Sequence, residues 1–279
     1  MNSMFDLEGK SVWVAGHNGM VGSAIVRKLR ETDIRVLTVD RSELDLTDAT
    51  SVGMWVADKK PDCIVLAAAK VGGIQANREF PVQFLQDNLL IQANVLKAAH
   101  EADVARLLFL GSSCIYPKFA EQPITEDSLL TGPLEPTNQW YAIAKIAGIK
   151  LCEAYREQYG RRWISAMPTN LYGPGDNYDL KTSHVLPALI RKFHEAKQAG
   201  IREVEIWGSG EPLREFMHCD DLADATVFLL ERYDDAAPIN IGSGEEVSIR
   251  ALADIINLVV GGQARIKFNK NMPDGTPRK

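Results

Sequence analysis

Short apolar runs alternate with longer stretches of helical spacing along most of this chain. Ser11–Ala15 has almost no polar interruption and predicts a buried strand. Gly16-His17-Asn18-Gly19-Met20-Val21-Gly22 follows, and helical spacing then runs to about Arg30. Arg35–Val39 predicts a second strand, ending at Asp40-Arg41, and Cys63–Ala69 a third. A helix is predicted over Val82–Ala102, a strand over Leu107–Leu110 and a helix over Trp140–Tyr159. The strand at Ile164–Met167 leads into Pro168-Thr169-Asn170-Leu171-Tyr172-Gly173-Pro174. Apolar strands alternating with helices predict an α/β fold, a doubly wound parallel sheet covered on both faces and Rossmann-like in plan.

The pattern changes after Pro174. Loops lengthen, and Glu203–Ile206 and Ile239–Ile241 predict strands between polar, glycine-rich turns. Ser248 is placed to cap a helix carrying Ile249, Leu252, Ile255, Ile256, Val259 and Val260, which Gly261-Gly262 stops. The expected organisation is a dinucleotide-binding domain over residues 1–174. Residues 175–279 form a smaller α/β substrate-binding region that can lend strands to the main sheet. The chain carries no internal repeat and no low-complexity linker.

Composition narrows the function classes. At 279 residues with 46% hydrophobic residues, the chain can bury a sizeable core. Lys and Arg total 31 against 37 Asp and Glu, a net charge of −6, which argues against nucleic acid as the main partner. No apolar run reaches membrane-spanning length, and the first ten residues carry no signal-peptide pattern, so the cytoplasm is the expected location. The cysteines, Cys63, Cys114, Cys152 and Cys219, form no Cys-x-x-Cys and lack metal-ligand spacing, so no metal is expected. Cys63 and Cys152 read as inert core residues.

The glycines at 16, 19 and 22 lie directly between a strand and a helix. Glycines there let the backbone approach a pyrophosphate, which the helix N-terminus binds through free N–H groups. Asp40, at the end of the second strand, is near the position where an acid bonds the adenosine ribose. That acid favours NAD, whereas Arg41 beside it suits a 2′-phosphate, and Asn18 suits either. The residues alone leave NAD and NADP both open.

Tyr141 and Lys145 stand one helical turn apart, on one face. A nearby ammonium favours the phenolate, which would make Tyr141 a proton donor and acceptor near neutral pH. A bare Tyr-x-x-x-Lys is a weak signal on any surface helix. It gains weight from Gly111-Ser112-Ser113-Cys114 after the fourth strand, since ligands of open α/β sheets sit beyond the carboxyl ends of the strands. A Ser112 hydroxyl there can bond a carbonyl oxygen under reduction beside Tyr141. Read without further context, Cys114 and His184 are a packed thiol and a helix-terminal imidazole.

These elements resemble the extended short-chain dehydrogenase/reductase family over essentially the whole chain. The most specific stretches are Gly16–Ile25 (GHNGMVGSAI), Ala67–Ile74 (AAAKVGGI), Leu110–Pro117 (LGSSCIYP), Glu135–Lys150 (EPTNQWYAIAKIAGIK), Pro168–Pro174 (PTNLYGP) and Trp207–His218 (WGSGEPLREFMH). The resemblance implies an NADP(H)-dependent enzyme acting on GDP-4-keto-6-deoxy-D-mannose, epimerising C3 and C5 and reducing C4. It implies Cys114 and His184 as the epimerisation pair. Ser112 would bond the C4 oxygen and Tyr141 protonate it, with Lys145 lowering the phenol pKa and holding the ribose. Leu110, Gly111, Ser112, Ser113, Pro168, Thr169, Asn170, Leu171 and His184 would line the cofactor. Lys192, Trp207, Arg214 and Asp274 would hold the GDP-sugar. It also implies a homodimer joined through the helices at Val82–Ala102 and Trp140–Tyr159. The chain departs from the family pattern at Asn18, where Arg is usual, and at Asp40. It ends at Lys279, where the family continues for a short segment.

Two other readings stand beside this one. An NAD-retaining nucleotide-sugar epimerase or dehydratase would suit Asp40, although a dehydratase needs an acid pair that Ser112-Ser113-Cys114 does not supply. A non-catalytic NAD(P) sensor has no need for Ser112, Tyr141 and Lys145 together.

Overall fold

The computed structural model describes residues 5–279; residues 1–4, part of the stretch read for a signal peptide, lie outside the described residues. The first half alternates strand and helix: β1 (Ser11–Ala15), α1 (Met20–Leu29), β2 (Arg35–Leu37), α2 (Ala49–Lys59), β3 (Cys63–Leu66), α3 (Ile74–Glu79), α4 (Pro81–Glu101), β4 (Arg106–Leu110), α5 (Gln139–Tyr159) and β5 (Trp163–Pro168). There follow β6 (Asn170–Tyr172), α6 (Val185–Ala199), β7 (Glu203–Trp207), β8 (Leu213–His218), α7 (Cys219–Arg232), β9 (Ile239–Ile241), β10 (Glu246–Ser248), α8 (Ile249–Val259) and β11 (Arg265–Asn269).

The main sheet has six parallel strands in the order β2-β1-β3-β4-β5-β9. Side chains alternate across it as strand geometry requires. Trp13 and Ala15 enter a core with Leu66, Leu96, Phe109 and Ile149. Val12 and Val14 enter the opposite core with Ile25, Val65, Leu108 and Leu222. Both faces are covered, which is why the strands read as unbroken apolar runs rather than alternating ones. A third core, including Leu189, Phe193, Ile206, Leu252 and Ile256, fills the space between α6, α8 and β7. Two small sheets, β10-β8-β6 and β11-β7, complete this part.

The sequence-based boundaries shift in places. β2 stops at Leu37 and β3 at Leu66, because Val39 and Ala67–Ala69 leave the strands to line a cleft. The helix α2 was not predicted, although Asp48 caps it by accepting from the Thr50 and Ser51 amides. β9 pairs with β5, and α7 packs on α1, so residues beyond 174 extend the main sheet and cover one face.

The strand β4 starts at a charged residue that is 1% exposed, Arg106. Its guanidinium donates to the carbonyls of Leu229, Leu230 and Tyr233 at the end of α7 and to Arg162 O before β5, and pairs with Asp234. Leu229 O also accepts from the Tyr233 amide at 3.0 Å, and the guanidinium completes the acceptors at this helix end. Arg106→Ala removes these bonds and a fully buried side chain, and is expected to cost about 3–5 kcal/mol, read as a drop in thermal midpoint. An unchanged midpoint would contradict this role.

Candidate active site

From β1 the chain moves to β2 on one side of the sheet, while β3 lies on the other. The crevice at such a switch point is where open α/β sheets bind ligands. Here a cleft of about 830 Å³ opens along the carboxyl ends of β1, β3, β4 and β5. Gly16, His17, Asn18, Gly19, Met20, Val21 and Gly22 form its floor. Gly16 has φ +93°, and a Cβ there would sit 2.7 Å from Ala68 N. A Cβ on Gly22 would run into the Gly16 carbonyl. No side chain caps α1 at Gly19, so its first N–H groups face the cleft without intrahelical partners. This cradle fits a dinucleotide pyrophosphate. Leu110, Gly111, Ser112, Ser113, Pro168, Thr169, Asn170 and Leu171 line the adjoining wall.

Two expected cofactor contacts differ at the far end. Arg41 lines the cleft but Asp40 does not. The Asp40 carboxylate instead accepts from Asn18 Nδ2 at 2.5 Å and lies 3.4 Å from His17 Nε2.

Tyr141 and Lys145 project from α5 into the cleft. The Lys145 ammonium donates to Leu110 O at 2.7 Å and lies 4.7 Å from the Phe109 ring centre and 5.8 Å from that of Tyr141. Gln92 on α4 braces this helix by donating to Ala144 O at 2.6 Å. Burial pulls Lys145 down to about 8, with Cys114 opposing. Burial and the nearby Cys114 push the Tyr141 phenol well above its usual value. The sequence expectation that Lys145 lowers the phenol is therefore corrected. Desolvation sets the direction here, with Cys114 adding to it, and Tyr141 keeps its proton at neutral pH, as a proton donor must.

Cys114 sits in a one-turn 3₁₀ segment, Ser113–Ile115, that follows β4. Its amide donates to Ser112 Oγ at 3.4 Å, so the two side chains share one short turn. His184 caps the start of α6 on the same cleft. The residue keeps exposed surface and lines the cleft, whose walls desolvate the ring in part. That burial, with the Lys279 cation, pushes the imidazole down to about 4. Lys279 itself lines the cleft, and its ammonium is pushed down by burial, Cys114 opposing and Arg214 adding to the effect. Cys114, His184 and Lys279 thus act on a common space.

Lys279 was not foreseen, since nothing local marks it as part of the cleft. Neither was Glu135, a buried carboxylate on the cleft wall that pairs with Lys118 at 2.8 Å. Its place in the Glu-Pro-Thr-Asn run was the available signal.

The remaining expected contacts gather at the opposite mouth. Lys192, Trp207, Arg214 and Asp274 all line it. Lys192 Nζ donates to Glu205 O at 3.0 Å. Burial pushes the Arg214 guanidinium down, with Asp274 and Glu135 opposing. Asp274 differs from expectation: its carboxylate accepts from Ser209 N at 2.7 Å and from Ser209 Oγ, which fixes the turn after Trp207.

Known proteins are similar to this chain along most of its length. The NAD dependent epimerase/dehydratase family matches residues 12–242. A GDP-L-fucose synthase of Sinorhizobium fredii is 58% identical over 99% of this chain and 88% of its own length. Among solved structures, a GDP-6-OMe-4-keto-L-xylo-heptose reductase from C. jejuni superposes with TM-score 0.91 at 32% identity, over 99% of this chain and 90% of that one. A GDP-L-fucose synthetase from Naegleria fowleri bound to NADP superposes with TM-score 0.89 at 28% identity, over 100% and 87%.

Proposed function

Because this chain belongs to the NAD dependent epimerase/dehydratase family, we propose that it converts GDP-4-keto-6-deoxy-D-mannose to GDP-L-fucose, inverting C3 and C5 and then reducing C4 with NADPH. The observation that carries the proposal is the convergence of Cys114 and His184 on the same cleft as Ser112, Tyr141 and Lys145. A simple reductase has no use for the first pair.

The chemistry follows from the ketone. Protons at C3 and C5 are acidic because the C4 carbonyl accepts the charge left behind. Cys114, as thiolate, removes such a proton, and His184 returns one to the opposite face of the enolate, so each centre inverts with one proton out and one in. His184 is neutral in the cleft at neutral pH. The diphosphate of the substrate offsets the Lys279 field and favours protonation of the ring. When bound, a reduced nicotinamide supplies hydride to C4. Ser112 bonds the C4 oxygen, Tyr141 gives it a proton, and Lys145 holds the ribose and the electrostatic balance.

Lys192 and Arg214 suit the diphosphate, and Trp207 walls off a ring. These residues make 175–279 mainly the substrate side of the molecule. Incubation with the 4-keto sugar and NADPH tests the proposal through the product, whose sugar should have the L-galacto configuration. A product that keeps the D-configuration would overturn it.

Two coarser features belong to the same reading. The enzyme is a homodimer joined through α4 and α5, which present Val82, Leu90, Trp140 and Ile143 as exposed apolar side chains. Light scattering at micromolar concentration should give twice the 30.9 kDa chain mass, and a monomer would contradict it. A cytoplasmic setting suits the free thiols, all of them buried, and no helix of the described residues is long and apolar enough to cross a membrane. A thiol titration of protein freshly isolated from cells that finds disulfides would contradict that setting.

A further inference from the structure

An acid just beyond the second strand of such a sheet ordinarily bonds a ribose hydroxyl and repels a 2′-phosphate. Asp40 holds that position, but its carboxylate is already engaged. Asn18 donates to it at 2.5 Å from the glycine loop, and His17 Nε2 lies 3.4 Å from the same oxygen. The neighbouring Arg41 lines the cleft while Asp40 does not. Asp45, whose carboxyl lies in the field of Arg41, accepts from the Thr47 amide and hydroxyl.

We propose that Asn18 is a specificity-determining residue: it ties Asp40 back from the ribose end of the cleft, leaving Arg41 to meet a 2′-phosphate, so that one site takes both NADPH and NADH. The proposal rests on the dinucleotide reading of the cleft. The physical point is that a carboxylate cannot be removed by a hydrogen bond, but it can be oriented and partly neutralised by one. Left untied, Asp40 would turn toward the ribose and oppose Arg41. Held by an amide, it stays off the cleft wall, so neither a free ribose hydroxyl nor a 2′-phosphate meets its charge directly. Asn18, itself uncharged, adds no charge preference of its own.

Binding of two adenine nucleotides isolates the 2′-phosphate without any turnover. Adenosine 2′,5′-bisphosphate and 5′-AMP are titrated calorimetrically into the wild type and the Asn18→Ala, Asp40→Ala, Arg41→Ala and Asn18→Ala/Asp40→Ala variants. The wild type should bind the two within about tenfold of each other, the scale of one exposed charge pair. Asn18→Ala should weaken the bisphosphate by about fivefold relative to 5′-AMP, a shift typical of exposed charges. Circular dichroism of each variant reports an intact fold. Arg41→Ala should weaken the bisphosphate alone. Asp40→Ala should strengthen it, and adding Asn18→Ala to that variant should then change nothing. The proposal is overturned if Asn18→Ala weakens both ligands equally, or weakens the bisphosphate as much without Asp40 as with it. A wild type that binds neither nucleotide, nor NADPH or NADH, would remove the dinucleotide reading and this proposal with it.

Discussion

Tyr141→Phe is expected to abolish nicotinamide oxidation while exchange of solvent deuterium into C3 and C5 of the substrate stays measurable. The phenol is the group proposed to give its proton to the C4 oxygen, and burial keeps it protonated at neutral pH. Phe preserves the ring and its packing on α5, so the loss isolates the proton. Removal of a general acid costs about 10²–10⁴-fold, which a spectrophotometric assay of NADPH reads directly. The same stage should carry a pH limit. Burial pulls the Lys145 ammonium down to about 8, so its charge is present below that pH and lost above it. Reduction by the wild type should therefore fall as pH rises through that value, while exchange falls less. Normal cofactor oxidation by Tyr141→Phe would remove Tyr141 from the mechanism.

Cys114→Ser is expected to have the opposite signature. A serine hydroxyl keeps the size and the turn but is far less ionisable than a thiol, so the base is lost without a cavity. Deuterium exchange at C3 and C5 should drop by about 10²–10⁴-fold. An already epimerised 4-keto sugar should still be reduced, because Ser112, Tyr141 and Lys145 are untouched. Wild-type exchange in Cys114→Ser would break the proposed division of labour.

How much of this was legible before the structure follows from the range of each interaction. The loop from Gly16 to Gly22, the Ser112–Cys114 turn and the Tyr141/Lys145 pair are local, each set by residues within one strand-to-helix step or one helix face. They were readable, and they meet in one cleft. The helix α2 announced itself only by Asp48, since Met54 on its surface blurs the apolar pattern. β9 joins β5 across a long stretch of chain, a pairing that no local pattern encodes. Arg106 drew no reading because its partners, the last carbonyls of α7, are distant in sequence. The phenol shift reversed its expected sign because spacing shows a neighbouring charge but not desolvation. Asp40 lies off the cleft and Asp274 lines it, each held by a partner that no local pattern announced, Asn18 and Ser209 respectively.

The central claim is that one cleft first epimerises two carbons and then reduces a third. Wild-type enzyme turned over in heavy water with unlabelled NADPH and GDP-4-keto-6-deoxy-D-mannose tests it most directly, by NMR of the product sugar. The account predicts deuterium at C3 and C5, a protium from the cofactor at C4, and inverted configuration at the first two centres. A reduced product carrying no solvent deuterium at C3 and C5 would mark a plain C4 reductase and contradict the account.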